Sequence, residues 1–279
     1  MSDGCSNNCS SCGDSGCASR RDPFAKDAAN AGSNVKHMIA VISGKGGVGK
    51  SMVTALLANA FSKSGKSAAI LDADITGPSI ARMYGIHEQA GSDGKNVLPA
   101  VSKDGVKIMS INMLLEHEDD PVIWRGPVIS STVRQFWTEV AWGDVDMMLL
   151  DMPPGTGDVP LTVFQSLPIE GILVVTSPQE LVSMVVGKAV HMAQAMNVPI
   201  LGIVENMSYF ECPDCGKRHE IFGRSRLEEA AGAYGIDLCA KIPIIPANAA
   251  LCDAGDADGL DEKILGELSQ QLYNKLKGE

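Results

Sequence analysis

From residue 35 onward, short apolar runs alternate with longer stretches in which apolar positions recur at helical spacing. The runs fall at residues 38–43, 67–71, 106–111, 147–150, 171–176, 200–206 and 240–244. Most are continuously apolar rather than alternating, as expected of strands covered on both faces. Between them, residues 51–64, 79–84, 128–140, 181–196 and 226–234 read as helices, and residues 261–276 close the chain as another. This alternation predicts an α/β fold with a mainly parallel, helix-flanked sheet and right-handed crossovers. Residues 86–121 are polar and rich in Gly and Asp around 97–101, which predicts an inserted loop or hairpin. The last helix carries Leu260, Ile264, Leu265, Leu268, Leu272 and Leu276 on one broad stripe. The acidic Asp261, Glu262 and Glu267 oppose an anionic lipid surface, so the stripe is expected to pack on the domain.

Residues 1–34 break the pattern. They are rich in Ser, Gly, Asn, Asp and Cys, with Phe24 as the one bulky apolar residue after Met1. Such a segment cannot bury a core and is expected to be flexible unless a metal orders it. The chain therefore divides into a Cys-rich tail, 1–34, and one domain, 35–279.

Composition narrows the function. With 279 residues, 45% hydrophobic and 20% charged, the chain suits one large α/β domain with an appendage. A formal net charge of −11 repels phosphate backbones and anionic lipid heads, so nucleic acid and membrane are disfavoured as partners. No apolar run approaches the ~20 residues that span a bilayer. Met1-Ser2-Asp3-Gly4-Cys5 lacks the basic and apolar regions of a signal peptide, so a cytoplasmic location is expected.

The chemistry is concentrated at Gly44-Lys45-Gly46-Gly47-Val48-Gly49-Lys50-Ser51, between a predicted strand and a predicted helix. This is a P-loop in the context the motif requires. Glycines let backbone N–H groups close around an anion, and the helix presents its positive end to it. Lys50 would meet the β/γ-phosphates of a nucleotide, and the Ser51 hydroxyl would sit on Mg²⁺. Ligands of parallel sheets bind beyond the carboxyl ends of the strands. Asp72 and Asp74 follow one strand, two positions apart and so facing the same side in extended chain. Asp151 ends another strand and can hold Mg²⁺ through water, with Asp72 in its outer shell. Gly155 and Gly157, further on, let the backbone approach and move with a γ-phosphate.

An extra lysine early in the loop, Lys45, makes this a deviant Walker A motif. The chain thereby resembles the ATPases that include the division-site (MinD) and plasmid-partitioning (ParA) proteins, the nitrogenase iron protein and the Mrp/ApbC-type iron–sulfur carriers. Asp72-Ala73-Asp74-Ile75-Thr76-Gly77-Pro78-Ser79, Trp124-Arg125-Gly126-Pro127, Asp151-Met152-Pro153-Pro154-Gly155-Thr156-Gly157-Asp158 and Asn206-Met207-Ser208 resemble the Mrp/ApbC branch in particular. The resemblance implies a homodimer in which Lys45 reaches the partner's nucleotide. It implies that Asp74 positions the attacking water, that Asp151 is the Walker B aspartate and that Asn206 reads adenine. Lys45, Lys50, Asp74 and Asp151 would then be the catalytic set. Met52 stands where most relatives carry a threonine that helps hold the α-phosphate, which predicts weaker nucleotide binding or turnover.

Eight cysteines complete the inventory. In a reducing compartment, closely spaced cysteines read as metal ligands or redox groups. Cys212-Pro213-Asp214-Cys215 supplies two thiolates, half of a four-coordinate site. The others could come from His219, from Cys239 or Cys252, or from a second chain across a symmetry axis. Four thiolates suit a [4Fe–4S] cluster or zinc equally. The Mrp/ApbC resemblance favours a bridging, labile cluster, handed to apo iron–sulfur client proteins with assembly factors as further partners. Cys5, Cys9, Cys12 and Cys17 are enough for a second cluster. Cys239 and Cys252 read as small buried apolar residues. His37, His87, His117 and His191 show no partner pattern. The competing reading is a MinD/ParA-like positioning ATPase stapled by zinc; a nitrogenase-type electron donor is disfavoured because its cluster cysteines lie in loops that hold none here.

Overall fold

The computed structural model describes residues 26–75, 77–115, 126–155, 158–178 and 182–278. Cys5, Cys9, Cys12 and Cys17, together with His117, Trp124, Arg125, Thr156 and Gly157, lie outside them. In chain order the elements are β1 (Ser33–Ser43), α1 (Lys50–Lys63), β2 (Ala68–Asp72), α2 (Ile80–Met83), β3 (Gly91–Ser92), β4 (Val97–Leu98), β5 (Ala100–Val101) and β6 (Lys107–Met109). Then come α3 (Gly126–Thr138), β7 (Gly143–Asp151), α4 (Asp158–Ser166), β8 (Gly171–Thr176), α5 (Val182–Met196) and β9 (Ile200–Glu205). The chain ends with β10 (Phe210–Glu211), β11 (Arg218–His219), α6 (Leu227–Ala233), β12 (Leu238–Lys241), α7 (Pro246–Asp253) and α8 (Gly266–Lys277).

Eight strands form one sheet in the order β12-β9-β8-β1-β7-β2-β6-β5. All neighbours are parallel except β5, which joins the edge antiparallel to β6. The continuous apolar runs are explained by the central strand. Met38, Ala40 and Ile42 of β1 enter a core with Phe136, Trp137 and Phe164 on one face. Ile39 and Val41 enter a second core with Leu56, Leu57 and Phe61 of α1 on the other. Burial of both faces requires apolar residues at every position, not every second one. The parallel register also sets the site: Asp72 at the end of β2 is the direct partner of Asp151 at the end of β7.

The structure departs from the sequence-based expectations at particular places. Residues 26–34 belong to the folded body, so the boundary expected after residue 34 falls earlier. Asp27 binds Arg134 through two hydrogen bonds of 2.6 and 2.9 Å. Trp137 donates to the Asp27 carbonyl, and Ser33 already pairs with Gly143 in the sheet. Helices α4 and α7 were not expected; each is short, and α7 is built from small residues with no apolar stripe and opens on Pro246. The expected strand 240–244 is displaced, because β12 ends at Lys241 and residues 242–244 turn toward 208–209. The expected C-terminal helix is broken: a 3₁₀ turn, Glu262–Ile264, precedes α8. Its stripe packs as expected, with Leu260, Leu265, Leu268 and Leu272 buried on the domain. The segment 86–121 supplies a β3–β4 hairpin and the β5–β6 edge, and β6 is shorter than the run 106–111 suggested. Among the described residues no helix is long and apolar enough to cross a membrane.

Candidate functional site

The P-loop emerges from the carboxyl end of β1 between β7 and β8. Gly47 and Gly49 have φ of 78° and 77°, the left-handed region that a side chain disfavours. A Cβ on Gly49 would also lie 2.3 Å from Nδ2 of Asn206. The loop bounds an open cleft of ≈ 420 Å³, lined on one side by Gly46–Met52 and on the other by Asp74, Ser79, Met83 and Cys252. That volume is within the usual range for a small-molecule site.

Under the loop, one ammonium faces three carboxylates. Lys50 Nζ is buried 2.7 Å from Oδ1 of Asp151 and 3.8 Å from Asp74. The 2.7 Å approach is an ion-pair contact without hydrogen-bond alignment, so the Lys50 ammonium has no hydrogen-bond partner. Asp151 is fully buried and accepts hydrogen bonds from Ser51 Oγ at 2.6 Å and Thr54 Oγ1 at 2.9 Å. Asp72 accepts from Ser110 Oγ at 3.0 Å and from the backbone N–H of Asp74 at 3.1 Å. Burial pushes the Asp72 carboxyl up to about 7, and the neighbouring Asp151 charge adds to this. The two-residue spacing of Asp72 and Asp74 therefore does not put both in the cleft. The chain turns after β2, Asp72 stays beneath, and Asp74 alone of the pair lines the opening.

The donor set fits a phosphate chain with Mg²⁺. An unmatched buried ammonium at the mouth of a glycine loop is what a β/γ-phosphate would satisfy. The Ser51 hydroxyl gives its proton to Asp151 and keeps its lone pairs for a cation. The excess of carboxylates over ammonium leaves a negative charge that a divalent ion would balance. Lys45 is exposed at the loop's outer side, and its carbonyl accepts from Ser43 Oγ at 3.0 Å. Asn206 donates from Nδ2 to the Val48 carbonyl at 2.9 Å, while its Oδ1 is buried without a partner. Met52 lines the cleft, and its thioether offers no hydroxyl to a phosphate.

The cysteine pair sits on a small antiparallel hairpin, β10–β11, beyond β9. Cys212 N–H donates to the Lys217 carbonyl at 3.0 Å, and Gly216 N–H donates to the Cys212 carbonyl at 2.8 Å. Gly216 takes a φ of 67°, which closes the turn. Backbone N–H groups of Cys215 and Asp214 hold the Cys212 thiol below its ordinary range. A thiolate is the ligating form, so the turn favours the form of Cys212 that a metal would take. Among the described residues no group of three or more His, Cys, Asp or Glu is placed to hold a metal. His219, Cys239 and Cys252 thus do not complete the pair within one chain. His219 lies across the hairpin from Phe210.

Residues 34–276 match the family described as NUBPL iron-transfer P-loop NTPases. The chain belongs to that family. The iron-sulfur cluster carrier protein of Clostridium perfringens is 47% identical over 244 residues, 85% of each chain. That of Methanocaldococcus jannaschii is 49% identical over 216 residues, 76% of this chain and 74% of its own. A solved structure of a nucleotide-binding protein from Archaeoglobus fulgidus, in complex with ADP and with Co found, aligns with a TM-score of 0.74. It is 43% identical and covers 81% of this chain and 89% of its own. The cell division protein MinD of Aquifex aeolicus aligns with a TM-score of 0.56 at 19% identity, covering 87% and 97%, which shows the shared P-loop fold.

Within this NUBPL-type P-loop NTPase, two residues at the nucleotide site were not expected there from sequence, and the buried role expected for two cysteines does not hold. Thr54, fully buried on α1, joins Ser51 on Asp151. Its signal is a polar residue one helical turn after Lys50, on a face that is otherwise apolar. Cys252 packs against the second core as an apolar residue but is only half-buried, and α7 makes its other side a wall of the cleft. Burial and the Asp253 charge raise its thiol above the ordinary range. Cys239 is exposed, contrary to the buried role expected for it, because β12 is the outermost strand on its side of the sheet.

Proposed function

We propose that this chain is an ATP-binding iron–sulfur cluster carrier that works as a homodimer. Two copies would hold a [4Fe–4S] cluster between their Cys212–Cys215 pairs and pass it to apo-proteins. The observation that carries this reading is the half-built thiol site. Two exposed or half-exposed cysteines sit on one turn, which favours the Cys212 thiolate; no third ligand joins them among the described residues, and family relatives are named for cluster carriage. Weak ATP hydrolysis would accompany the cycle.

The positions support a role for each residue. The P-loop N–H groups and Lys50 bind the phosphates, Lys50 exchanging its contact with Asp151 for one with the nucleotide. Ser51 and Asp151, with Asp72 behind, would hold Mg²⁺, which supplies charge neutralisation at the transferring phosphoryl group. Asp74, at the cleft opening, orients the attacking water. Lys45, exposed and outside the cleft lining, would reach the nucleotide of a second copy. Asn206 Oδ1 is the acceptor that an adenine amino group would match. The exposed Ile221 and Phe222, just beyond the hairpin, suit a surface covered by another protein.

Replacing Cys212 by Ala in anaerobically purified protein tests the reading. Iron bound by the domain should fall to background while ADP affinity stays within about 3-fold, since the pair is outside the cleft. Loss of both together would contradict separate sites. Retained iron would contradict the cluster assignment.

A further inference from the structure

Among the described residues, four buried side-chain atoms lack a hydrogen-bond partner: Lys50 Nζ, Glu205 Oε2, Asn206 Oδ1 and Asn248 Nδ2. Lys50 and Asn206 belong to the nucleotide site. Glu205 does not line the cleft, yet its carboxyl is wholly buried at the end of β9. One oxygen, Oε1, accepts from Ser208 Oγ at 2.6 Å; the other is empty-handed. Buried unmatched acceptors are rare and call for a reason.

The position of this residue supplies one. Asn206, next in sequence, grips the Val48 carbonyl of the P-loop. Met207 then takes a φ of 57°, unusual for a side chain with length, and so marks a constrained corner. Ser208 N–H donates to the Ile242 carbonyl, and Ile244 N–H donates to Tyr209. The Arg218 guanidinium lies 4.5 Å from the Tyr209 ring centre and 3.2 Å from Glu211, across the hairpin. Contacts therefore run without a break from P-loop to hairpin, and Asn206 is only six positions from Cys212. Within this path, the Ser208 hydroxyl donates to one Glu205 carboxylate oxygen, and the other, buried, has no partner. A half-satisfied buried pair is a place where a shift of the neighbouring backbone changes the hydrogen bonding.

We infer that residues 205–212 link nucleotide occupancy to the cysteine hairpin, with the Glu205–Ser208 pair as the positioning device. The inference rests on the proposed nucleotide and thiol sites but not on the identity of the metal. Occupancy of the P-loop shifts Val48 and Asn206, the Glu205–Ser208 pair re-seats, and the hairpin changes the exposure of Cys212 and Cys215.

The test is pulsed alkylation of the full chain, reduced and metal-free, read thiol by thiol by peptide mass spectrometry, with and without saturating ADP and Mg²⁺. Cys252 reports occupancy, since nucleotide in the cleft shields it. The wild-type rates at Cys212 and Cys215 should change by about 5-fold or more, the scale of an ordinary coupling between sites. Ser208→Ala should remove that response while Cys252 stays protected, and Ser208→Thr should restore it. Tyr209→Leu, at the path's surface end, should also blunt the response and serves if Ser208→Ala does not fold. Protected Cys252 with unchanged rates at the pair, or variants that keep the full response, would overturn the link alone. Unprotected Cys252 together with no binding of a fluorescent ADP would overturn the nucleotide site and the link with it.

Discussion

Lys50 Nζ lies 2.7 Å from Oδ1 of Asp151, buried, and makes no aligned hydrogen bond to it. The lysine is thus parked against a carboxylate by charge alone, with its three protons unspent. Lys50→Ala should lower ADP affinity by about 100-fold, as expected for a charge-assisted contact worth ~3 kcal/mol. It should also destabilise the nucleotide-free protein by about 3 kcal/mol, because Asp151 is left buried without its counter-charge. Calorimetric titration and denaturant unfolding read the two effects separately.

The closeness of Gly49 to Asn206 makes a second test. Gly49→Ala places a Cβ 2.3 Å from Nδ2 of Asn206 at a φ of 77°. The strain should cost about 1–3 kcal/mol of stability. ADP binding should weaken as well, because Asn206 must leave the Val48 carbonyl and the loop around Lys50 must shift. Thermal unfolding and fluorescent-ADP titration measure both.

Asp72 predicts a pH dependence. Its carboxyl is raised from 3.8 to about 7 in the folded protein, chiefly by burial. A raised carboxyl contributes stability below its unfolded value, and that contribution is lost as pH rises through the folded value. Metal-free wild type should therefore weaken between pH 4 and 8 relative to Asp72→Asn. The gap between the two should move by about 2 kcal/mol in favour of the variant, after allowance for the shared charge of Asp151 and Lys50. Unfolding curves across that range, in chelator, check it; parallel curves would contradict the buried-charge account.

The role proposed for Lys45 predicts that dimer-dependent turnover and nucleotide binding can be separated. It is exposed and outside the cleft wall. Lys45→Ala should leave ADP affinity within about 3-fold, as for an exposed charge. ATP-dependent dimerisation and turnover should be lost, as measured by light scattering and phosphate release.

What was legible in the sequence was what is local. The P-loop, Asp151 and the C-x₂-C pair are set by spacing within one strand end or one turn, and Lys50 meets Asp151 where two strand ends converge; Asp72 and Asp74 part after β2, so their two-residue spacing did not put both on one side. The apolar runs predicted the sheet because central parallel strands must be apolar on both faces. The rest depends on contacts between distant segments. Thr54 meets Asp151 across 97 positions, and Asn206 meets Val48 across 158. Cys252 reaches the cleft only because α7 packs against α2. Helix α7 itself is made of small residues, so no periodicity announces it. Residues 26–32 look like the rest of the polar tail but are held by Arg134 and Trp137, which composition cannot reveal.

That last contact fixes where a truncated chain must begin. A chain begun at Val35 would strip Asp27 from Arg134 and Trp137, so the truncated protein should begin at Lys26. The measurement is iron, sulfide and zinc content, with an absorption spectrum, on this chain and the full one purified without oxygen. The account predicts a brown truncated protein with about four irons per dimer, and further iron in the full chain if Cys5, Cys9, Cys12 and Cys17 hold a second cluster. A colourless truncated protein with stoichiometric zinc, refractory to reconstitution with iron and sulfide, would contradict the carrier and favour a zinc-stapled positioning ATPase.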